Sequence, residues 1–358
     1  MRMALALAAK AHGRTRPNPM VGAVVVRAGR VVGTGWHRRA GRPHAEVIAL
    51  REAGSLARGA TLYVSLEPCA HTGRTPPCTE AIAAAGIRRV AAAMIDPNPK
   101  NFGRGIRRLK ALGIRTGVGL LEKEAQALNR IFVTWMTAGR PFVTVKVAQS
   151  LDGKIATRTG SSRWISGPAA RAWVHRLRGQ VDAILVGVET VLKDDPRLTV
   201  RLGARRASPI KIILDSHLRT PASSRIFASR TPVIIATTAR VSIQREKKLR
   251  EAGAEILRLP GRNSRVNLRP LLRQLAKREI SHLLIEGGGE AIASAFEASA
   301  VDRLACIIAH TIIGGRDAPT AVEGTGVTSL NAAVRLRNVH VHPLGKDLLV
   351  TADVHRHR

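Results

Sequence analysis

One imidazole, one carboxylate and two thiols occur early in the chain, in the order that a hydrolytic zinc site requires. They belong to His44, Glu46, Cys69 and Cys78. A catalytic zinc ion prefers nitrogen and sulfur ligands and keeps one of its coordination positions open for water. His44, Cys69 and Cys78 therefore form a candidate ligand set. Glu46 is left free to move protons from the water to a departing amine. This combination is typical of zinc deaminases that act on amino-substituted pyrimidine and purine rings.

A His-x-Glu triplet alone occurs in many chains without function, so the surrounding elements decide its meaning. The alternating, β-branched run Thr61–Leu66 predicts a strand that ends shortly before Cys69. Cys78 opens an alanine-rich run, and His44 directly precedes the run Ala45–Ala53; both runs predict helices. A helix N-terminus favours a thiolate at Cys78. Ligands at two helix starts and one strand end can converge on a metal ion.

The spacing of the two cysteines departs from the commonest deaminase pattern. Eight residues, Ala70–Pro77, separate them, where that pattern has two. A loop of this length can reach over a pocket and carry a specificity group of its own. We interpret His71, within the loop, as a residue that orders it, because a fourth protein ligand would displace the water from the metal.

Several further motifs carry a resemblance to one known family. In the first half they are Pro17-Asn18-Pro19-Met20-Val21-Gly22 and Asp96-Pro97-Asn98-Pro99, and in the second half Lys146–Lys154, Asp194–Arg201 and Glu286–Gly289. With the long cysteine spacing, these motifs resemble the bifunctional deaminase/reductase family of riboflavin biosynthesis from residue 17 to about residue 290. The resemblance implies an α/β protein with a cytidine-deaminase-like αβα sandwich followed by a dihydrofolate-reductase-like α/β domain. It also implies zinc, one ion per chain, and NADPH as cofactors.

Length and local pattern indicate two domains. The chain has 358 residues, 45% of them hydrophobic, which is enough for two cores. A predicted helix over Glu122–Ala138 runs into Gly139-Arg140-Pro141, which we take as the boundary between a deaminase domain, residues 1–141, and a reductase domain, residues 142–358.

Both halves alternate between predicted strands and helices, as α/β layers require. In the first half, beyond the elements above, we predict a hairpin of Val21–Val26 and Val31–Trp36, a strand over Val90–Ile95 and a helix over Arg104–Leu112. In the second half the predicted strands are Phe142–Ala148, Ala183–Gly187, Ile210–Leu214, Val233–Thr237 and His282–Ile285, and the predicted helices are Ala169–Leu177, Glu246–Ala252, Leu268–Arg278 and Glu290–Glu297.

The cysteine count and hydropathy favour a cytoplasmic protein. Two of the three cysteines are assigned to zinc, which argues against a disulfide framework, and Cys306 is predicted to be a buried strand residue. No apolar run approaches the roughly 18 residues that cross a bilayer. The first motif begins at Pro17, which leaves little room for a targeting peptide.

The charge is strongly positive, with 58 basic and 25 acidic residues and a formal net charge of +33. Such a balance often indicates a polyanionic partner. The arginines are spread along the chain, however, and aromatic residues, which form stacking platforms for single strands, make up only 3%. We interpret the charge as a solvated basic surface that serves phosphorylated ligands. Nonspecific binding of polyanions is compatible with it, whereas specific nucleic-acid or membrane binding is not expected. We also expect a homo-oligomer of unspecified size.

The resemblance assigns substrate contacts of the deaminase to five positions. These are Asn18, His37, Arg74, Asp96 and Asn98. Amide and carboxylate groups can pair with a pyrimidine edge, and an arginine can neutralise a ribose phosphate. A turn alone would also explain the two Pro-Asn-Pro asparagines.

In the second half the resemblance assigns two groups of residues. Near the substrate it places Ser162, Arg178, Leu198, Arg201 and Glu286. Near NADPH it places Ala148, Trp164, Thr190, Asp194, Ser216 and the run Gly288, Gly289, Glu290, Ala291, Ile292, Ala293 and Ser294. Opening of the ribose needs a proton donor, for which Lys146, Asp194 and Glu286 are candidates of equal rank. In so basic a chain, Arg178 and Arg201 also fit a role as ordinary surface charges.

The three glycines after Glu286 are a weak signal by themselves. A strand, a glycine turn and a helix start can bind a pyrophosphate through backbone N–H groups, but a plain turn needs no ligand. The run also lacks the GxGxxG spacing of a dinucleotide-binding Rossmann domain. Only the family resemblance makes the turn a candidate NADPH contact.

These observations predict an enzyme with two activities. A zinc-dependent hydrolytic deamination of 2,5-diamino-6-(5-phosphoribosylamino)pyrimidin-4-one would be followed by NADPH-dependent reduction of the ribosyl group of the resulting uracil to a ribityl group. One alternative is a tRNA-type deaminase with a basic RNA-binding domain, for which a short Cys-x-x-Cys and no reductase motifs are expected. Another is a deaminase joined to an inactive reductase-like domain.

Overall fold

The chain folds into two compact units, Met1–Arg140 and Pro141–Arg358. They are seen in a computed structural model that describes residues 1–73, 75–201, 208–238, 241–262 and 265–355. Each unit has hydrophobic clusters of its own.

The first unit is a five-stranded sheet with helices packed on it. The strands are β1 Gly22–Arg27, β2 Arg30–Trp36, β3 Thr61–Val64, β4 Arg89–Ala92 and β5 Arg115–Val118. The helices are α1 Arg2–Ala9, α2 Ala45–Ala53, α3 Cys78–Ala84, α4 Arg104–Ala111, α5 Glu122–Leu128 and α6 Arg130–Ala138. The strand order is β2-β1-β3-β4-β5, antiparallel across the first three strands and parallel from β3 onwards. The predicted hairpin and the helices before and after the cysteine loop are confirmed.

Two glycines of β2 let the helix α2 approach the sheet unusually closely. A Cβ atom on Gly33 or Gly35 would lie 2.2 Å from a carbonyl oxygen of α2, Ala49 O or Ala45 O respectively. Any other residue would push the helix outwards. Since His44 and Glu46 stand at the first turn of α2, this contact fixes how deep they lie in the unit.

The predicted helix over Glu122–Ala138 is wrong as a single element. The structure divides it at Asn129 into α5 and α6. The buried Asn129 side chain accepts a hydrogen bond from Met20 N at 2.8 Å and donates one to Met20 O at 2.9 Å. A buried asparagine that satisfies the backbone of a distant segment competes with the regular helix, which helical periodicity could not reveal.

The second unit contains a nine-stranded sheet of order β10-β9-β8-β7-β13-β6-β14-β16-β15. Its strands are β6 Phe142–Gln149, β7 Ala183–Gly187, β8 Ile210–Leu214, β9 Val233–Thr238, β10 Ala254–Leu259, β13 His282–Ile285, β14 Arg303–Ile308, β15 Leu336–Leu344 and β16 Asp347–Val354, and a small separate pair is formed by β11 Gly261–Arg262 and β12 Arg265–Val266. The helices are α7 Pro168–Arg178, α8 Val188–Asp194, α9 Ile243–Glu251, α10 Leu268–Lys277 and α11 Gly289–Glu297.

Seven neighbouring strands of this sheet, from β10 to β14, are parallel, and β16 and β15 are added antiparallel at one edge. Alternate residues of the central strands enter two different clusters, for example Val145 and Leu185 in one and Ile184 and Leu284 in the other. Burial on both faces is characteristic of a parallel sheet and explains its continuous apolar runs. The predicted strands and helices of this half are confirmed, whereas α8, β10 and the β15–β16 hairpin were not predicted.

Cys306 lies in a strand, as expected, but is only partly buried. It stands in β14, and burial raises the pKa of its thiol to about 11. Cys306 forms no disulfide bond, and neither do Cys69 and Cys78. No helix within the described ranges is both long and apolar enough to span a membrane.

Candidate active sites

The three candidate zinc ligands converge from three different elements. His44 is the residue before α2, Cys69 follows β3, and Cys78 is the first residue of α3. His44 Nδ1 lies 3.2 Å from Cys78 Sγ and 3.6 Å from Cys69 Sγ. All three ligand atoms are within 4.8 Å of one another. One nitrogen and two sulfurs at this separation fit a tetrahedral zinc ion with one position left for water.

The ring of His44 is oriented by a residue of the cysteine loop. Its Nε2 lies 3.2 Å from Thr75 Oγ1, while Nδ1 faces both sulfurs. A proton on Nε2 leaves Nδ1 as the metal-binding atom, because metal-bound histidines usually donate their other N–H to a nearby acceptor. Thr75 was not singled out from the sequence. Its position inside the long loop is the signal that could have found it.

The pKa values of the two thiols shift in opposite directions, as expected for a pair that shares one negative charge when no cation is bound. Hydrogen bonds from Cys78 and His44 lower the pKa of Cys69 to about 4, although its burial opposes this. The hydrogen bond to Cys69, together with burial, raises the pKa of Cys78, because two neighbouring thiolates repel each other. A zinc ion removes that repulsion and allows both sulfurs to bind as thiolates.

Glu46 is buried beside this triad and has an unsatisfied oxygen. Within the described part of the chain, its Oε2 has no hydrogen-bond partner. Burial raises the pKa of Glu46 to about 7, which outweighs the attraction of the His44 charge. A buried carboxylate without a partner is costly unless a ligand satisfies it. Its position next to three metal-binding atoms is that of a proton carrier.

Asn18 and His37 are brought together on one side of the triad. Asn18 Nδ2 donates to His37 Nε2 at 3.1 Å, and His37 Nδ1 donates to Pro43 O at 3.2 Å. Burial lowers the pKa of His37, so the ring is neutral. It meets the His44 ring edge-on, with 5.2 Å between ring centroids. His37 therefore packs against a candidate zinc ligand, and Asn18 is joined to His37 by a hydrogen bond.

Asp96 and Asn98 form a tight turn in the same unit. Asp96 Oδ1 accepts from Asn98 N at 2.9 Å, and burial raises the pKa of Asp96 to about 6. The charge of His71 acts on Asp96, while His71 Nδ1 is buried and has no hydrogen-bond partner among the residues that the structure describes. Arg74, predicted to meet the phosphate, lies outside the described residues.

The second unit has a cavity of about 810 Å³ along the carboxyl end of its parallel strands. Ligands of open α/β sheets bind at this edge. Eight residues predicted from the sequence line the cavity: Lys146, Ala148, Ser162, Trp164, Arg178, Asp194, Leu198 and Arg201. Four of the five predicted substrate residues and three of the predicted cofactor residues thus line one cavity. Its lining does not include Glu286, Thr190, Ser216 or the run Gly288–Ser294.

Arg178, which lines this cavity, forms a buried ion pair with Glu286, which lies behind it and is not among the lining residues. Arg178 Nε and Nη2 donate to the two oxygens of Glu286 at 2.7 and 2.6 Å. Burial alone would raise the pKa of Glu286, but Arg178 and Lys146 outweigh it, and the pKa is lowered. Partial burial and the Arg178 charge lower the pKa of the Lys146 amine, whereas the charge of Glu286 opposes them. Arg178 is therefore no ordinary surface charge.

Two further contacts organise the cavity. Ser162 Oγ donates to Asp194 Oδ1 at 3.1 Å, which links the two predicted sets. Arg201 N donates to His175 Nδ1 at 3.4 Å, and His175, which also lines the cavity, was missed from the sequence. The signal for His175 was its place near the end of the predicted helix, three residues before Arg178. The Arg171 guanidinium also lies over the Trp164 ring, 4.7 Å from its centroid.

The turn after β13 requires glycine at three successive positions. Gly287 and Gly288 have φ values of 124° and 74°, which favour glycine. A Cβ on Gly289 would lie 2.6 Å from the side chain of Glu323. Thr190 lies beside this turn, since its Oγ1 would be 3.4 Å from a Cβ on Gly287. At Gly287 and Gly288 the turn thus presents backbone rather than side chains.

The side chains of the remaining cofactor candidates lie in three different environments. Ser216 follows β8 and accepts a hydrogen bond from Val266 N at 3.1 Å. Glu290 and Ser294 line a second cavity of about 840 Å³. The side chains of Ala291, Ile292 and Ala293 are buried in the core. These three positions can offer only backbone atoms to a ligand.

The first and second halves of the chain each match a known family. Residues 1–94 match the cytidine and deoxycytidylate deaminase zinc-binding region, and residues 141–350 match the RibD C-terminal domain. The chain is 45% identical to the riboflavin biosynthesis protein RibD of Aquifex aeolicus over 350 residues, covering 98% of this chain and 96% of that protein. It is 40% identical to RibD of Escherichia coli over 360 residues, covering 97% and 96% of the two chains.

Solved structures give the same result. The structure of Acinetobacter baumannii RibD in form 1 has a TM-score of 0.89 at 35% identity, covering 99% of this chain and 98% of that one. A Thermotoga maritima diaminohydroxyphosphoribosylaminopyrimidine deaminase/5-amino-6-(5-phosphoribosylamino)uracil reductase has a TM-score of 0.82 at 35% identity, covering 99% and 97%.

Proposed function

The chain belongs to the RibD family of bifunctional deaminase/reductase enzymes of riboflavin biosynthesis, and on that premise we propose which of its residues carry each reaction. Zinc serves the deaminase domain and NADPH the reductase domain. The observation that carries the assignment is the convergence of His44, Cys69 and Cys78 beside the unpaired oxygen of Glu46. The deaminase domain extends over residues 1–141 and the reductase domain over residues 142–358.

Deamination replaces the amino group at C2 of 2,5-diamino-6-(5-phosphoribosylamino)pyrimidin-4-one with oxygen from water. His44, Cys69 and Cys78 would hold the zinc ion, which would lower the pKa of a bound water and so supply a nucleophile at neutral pH. Glu46 takes the proton released when the carbon–oxygen bond forms and delivers it to the amine as the carbon–nitrogen bond breaks. Ammonia leaves, and the uracil derivative remains. A carboxylate with its pKa raised to about 7 is suited to both transfers.

The pyrimidine is recognised by the polar groups that border the triad. Asn18 and the neutral His37 present hydrogen-bonding edges on one side, and Asp96 with Asn98 presents another. Arg74 takes the ribose phosphate. The high pKa of Asp96, about 6, allows it to share a proton with a ring nitrogen or amino group.

Reduction of the ribosyl group takes place in the cavity of the second unit. When bound there, NADPH would supply a hydride for the sugar carbon that bears the amine. Lys146 delivers a proton to the ring oxygen as the ring carbon–oxygen bond opens. Of the three donor candidates, Glu286 is held by both guanidinium nitrogens of Arg178, and Asp194 accepts from Ser162. Lys146 lines the cavity with an amine whose pKa is lowered, which suits it to release a proton.

The substrate and cofactor share this cavity. Ser162, Leu198 and Arg201 lie beside the substrate, with Arg201 on its phosphate, and Arg178 and Glu286 form the wall behind it. Ala148, Trp164 and Asp194 face the nicotinamide end of NADPH. Thr190 and the backbone of Gly288–Ser294 bind the pyrophosphate, and Ser216 lies toward the adenosine. This order follows the carboxyl ends of β6, β13, β7 and β8.

A homo-oligomer is favoured by the edge strand β15. Eight of its nine residues are exposed, including Leu336, Val339 and Val341, and among the described strands none pairs with its outer edge. An exposed apolar edge is a template for pairing with a second chain. Replacement of Val341 by lysine should then lower the molar mass measured by light scattering. An unchanged mass would show that β15 does not form the interface between chains.

We assign the enzyme to the cytoplasm, where the thiols of the zinc site stay reduced.

One coupled assay tests the proposed function. The diaminopyrimidine phosphate is supplied with and without NADPH, and the products are identified by mass spectrometry. Without NADPH the deaminated ribosyl compound should accumulate, and with NADPH it should be converted to the ribityl compound. Accumulation in both cases would favour a deaminase joined to an inactive second domain.

A further inference from the structure

The side chain of Asn101 is completely buried and joins two segments of the deaminase site. Its Oδ1 accepts from Ala70 N at 3.0 Å. Its Nδ2 donates to Asp96 Oδ2 at 3.2 Å and to Pro68 O at 3.4 Å. The backbone partners lie on either side of the ligand Cys69. One amide thus bonds to the metal-binding segment and to the carboxylate of Asp96.

We propose that Asn101 is a positioning residue of the deaminase, which fixes the carboxylate of Asp96 relative to the segment that carries Cys69. The inference rests on the proposed contact between Asp96 and the pyrimidine. A substrate held at one end by Asp96 meets the zinc ion only if the distance between the two groups is maintained. If the carboxylate turns away, the substrate loses a hydrogen bond in its productive position, so the loss is expected in KM.

A second buried group supports the same connection through the backbone. Glu67, two residues before Cys69, accepts hydrogen bonds from Asp96 N at 3.1 Å, Gly103 N at 3.0 Å and Ile106 N at 3.0 Å. Glu67 therefore holds the main chain of the Asp96 turn and the start of α4. Among the residues that the structure describes, Glu67 has no hydrogen bond to the side-chain carboxylate of Asp96. The direction of that carboxylate depends on the amide of Asn101 and on Asn98 N.

Two substitutions of Asn101 separate its hydrogen bond to Asp96 from its hydrogen bond to Ala70 N. Asn101→Asp keeps an oxygen for Ala70 N but replaces the donor to Asp96 with a repelling carboxylate. The KM for deamination should rise about 10- to 100-fold, the value of a charge-assisted hydrogen bond, while kcat and zinc affinity change little. Asn101→Ala also removes the acceptor of Ala70 N. Its zinc affinity, measured by competition with a chelator, should fall about 10- to 100-fold, as for other supporting residues of metal ligands.

Asn129 provides a matched control in the same unit. It is also a buried asparagine with one accepted and one donated bond, but both go to the backbone of Met20. Asn129→Asp and Asn129→Ala should lower the melting temperature without lowering zinc affinity. The reductase activity of each variant on supplied deaminated substrate shows that the second domain is intact.

A reciprocal exchange tests the hydrogen bond itself. In the double variant Asn101→Asp with Asp96→Asn, an amide at position 96 can donate to a carboxylate at position 101. The melting temperature should recover most of what Asn101→Asp lost. The KM should stay high, because the carboxylate that meets the substrate is gone. Recovery of both quantities would contradict the proposed recognition by Asp96.

The outcomes distinguish this inference from the proposed function. If Asp96→Asn deaminates with a normal KM, the substrate contact itself is wrong, and the inference fails with it. If Asp96→Asn raises the KM but Asn101→Asp does not, the contact stands and the positioning role of Asn101 is refuted. Equal losses of zinc affinity in the Asn101→Ala and Asn129→Ala variants would also refute it, since they would indicate general loosening of the domain.

Discussion

The two sites of this chain treat their key carboxylates in opposite ways. Glu46 in the first unit is buried with one oxygen unpaired, and burial raises its pKa to about 7. Glu286 in the second unit is held by Arg178 on both oxygens, and its pKa is lowered. A carboxyl group with a pKa near 7 can accept and release protons at neutral pH. A carboxylate paired with an arginine stays ionised and keeps a fixed position. The comparison separates a group that reacts from one that holds a pocket-lining arginine in place.

The largest expected effect comes from removing a zinc ligand. Cys69→Ser should abolish deamination, because the triad loses one of its two sulfurs. Reduction of supplied deaminated substrate should stay within about twofold, since the cavity of Arg178 and Lys146 belongs to another core. Both rates and the zinc content are measured on the same preparation. Loss of both activities in a folded protein would contradict the separation of the two sites.

The next effect tests Glu46 as a proton carrier. Glu46→Gln preserves size and burial but cannot accept a proton, so kcat for deamination should fall about 10²- to 10⁴-fold. Zinc should remain at about one ion per chain, because His44, Cys69 and Cys78 are unchanged. Glu52→Gln, on the same helix but exposed, is the control and should deaminate normally. A normal rate in Glu46→Gln would remove the residue from the mechanism.

A smaller effect concerns the carboxylate of Glu286. Arg178→Met leaves Glu286 buried without its partner, so we expect about 3–5 kcal/mol lower stability of the reductase domain. Arg219→Met is the control, because Arg219 pairs with Glu189 at the surface. The side chains of Arg219 and Glu189 are 45% and 50% exposed to solvent, whereas those of Arg178 and Glu286 are 15% and 3% exposed. That variant should change stability by about 0–1 kcal/mol. Denaturant unfolding measures both, and equal losses would show that the Arg178 pair has no special role.

The same pair makes a prediction about pH. Because the pKa of Glu286 is lower in the folded protein, its contribution to stability is present above its ordinary pKa and is lost as the pH falls below that value. The stability difference between wild type and Arg178→Met should therefore shrink in acid. A difference that grows as the pH falls would assign the effect to another group.

The zinc site could be predicted from the sequence more fully than the cavity of the second unit, because the two sites use different kinds of residue. Zinc accepts few ligand types, so His44, Cys69 and Cys78 could be identified from their types and from the elements around them. The cavity of the second unit uses common residues whose meaning depends on where the chain brings them. Arg178 could not be told from a surface arginine until its pairing with Glu286 was visible. Trp164 and Ser216 were named only through a family resemblance.

The fold shows the same division. Strands buried on both faces, such as β7 and β13, were predictable from their apolar runs. The break at Asn129 and the roles of Thr75 and Asn101 depend on contacts with distant segments, so no local pattern could show them. The β15–β16 hairpin was missed because β15 is exposed along nearly its whole length and lacks the alternation of a half-buried strand.

The smallest expected effect is cofactor preference. NADPH should give a higher kcat/KM than NADH, by about 10- to 100-fold if one or two charge-assisted bonds meet the additional phosphate. Kinetics at several salt concentrations would locate those bonds. A preference that fades with salt indicates exposed arginines, and one that persists indicates a buried phosphate site. Equal values, or a preference for NADH, would contradict the prediction.

The most direct test of two independent sites is reversible removal of the metal from the wild-type enzyme. After treatment with a strong chelator, deamination should be lost while NADPH oxidation with supplied deaminated substrate continues at its original rate. Addition of about one equivalent of zinc per chain should restore deamination, because the triad His44, Cys69 and Cys78 is the metal-binding group found among the described residues. Deamination that persists without zinc, or reduction that disappears with it, would contradict the account.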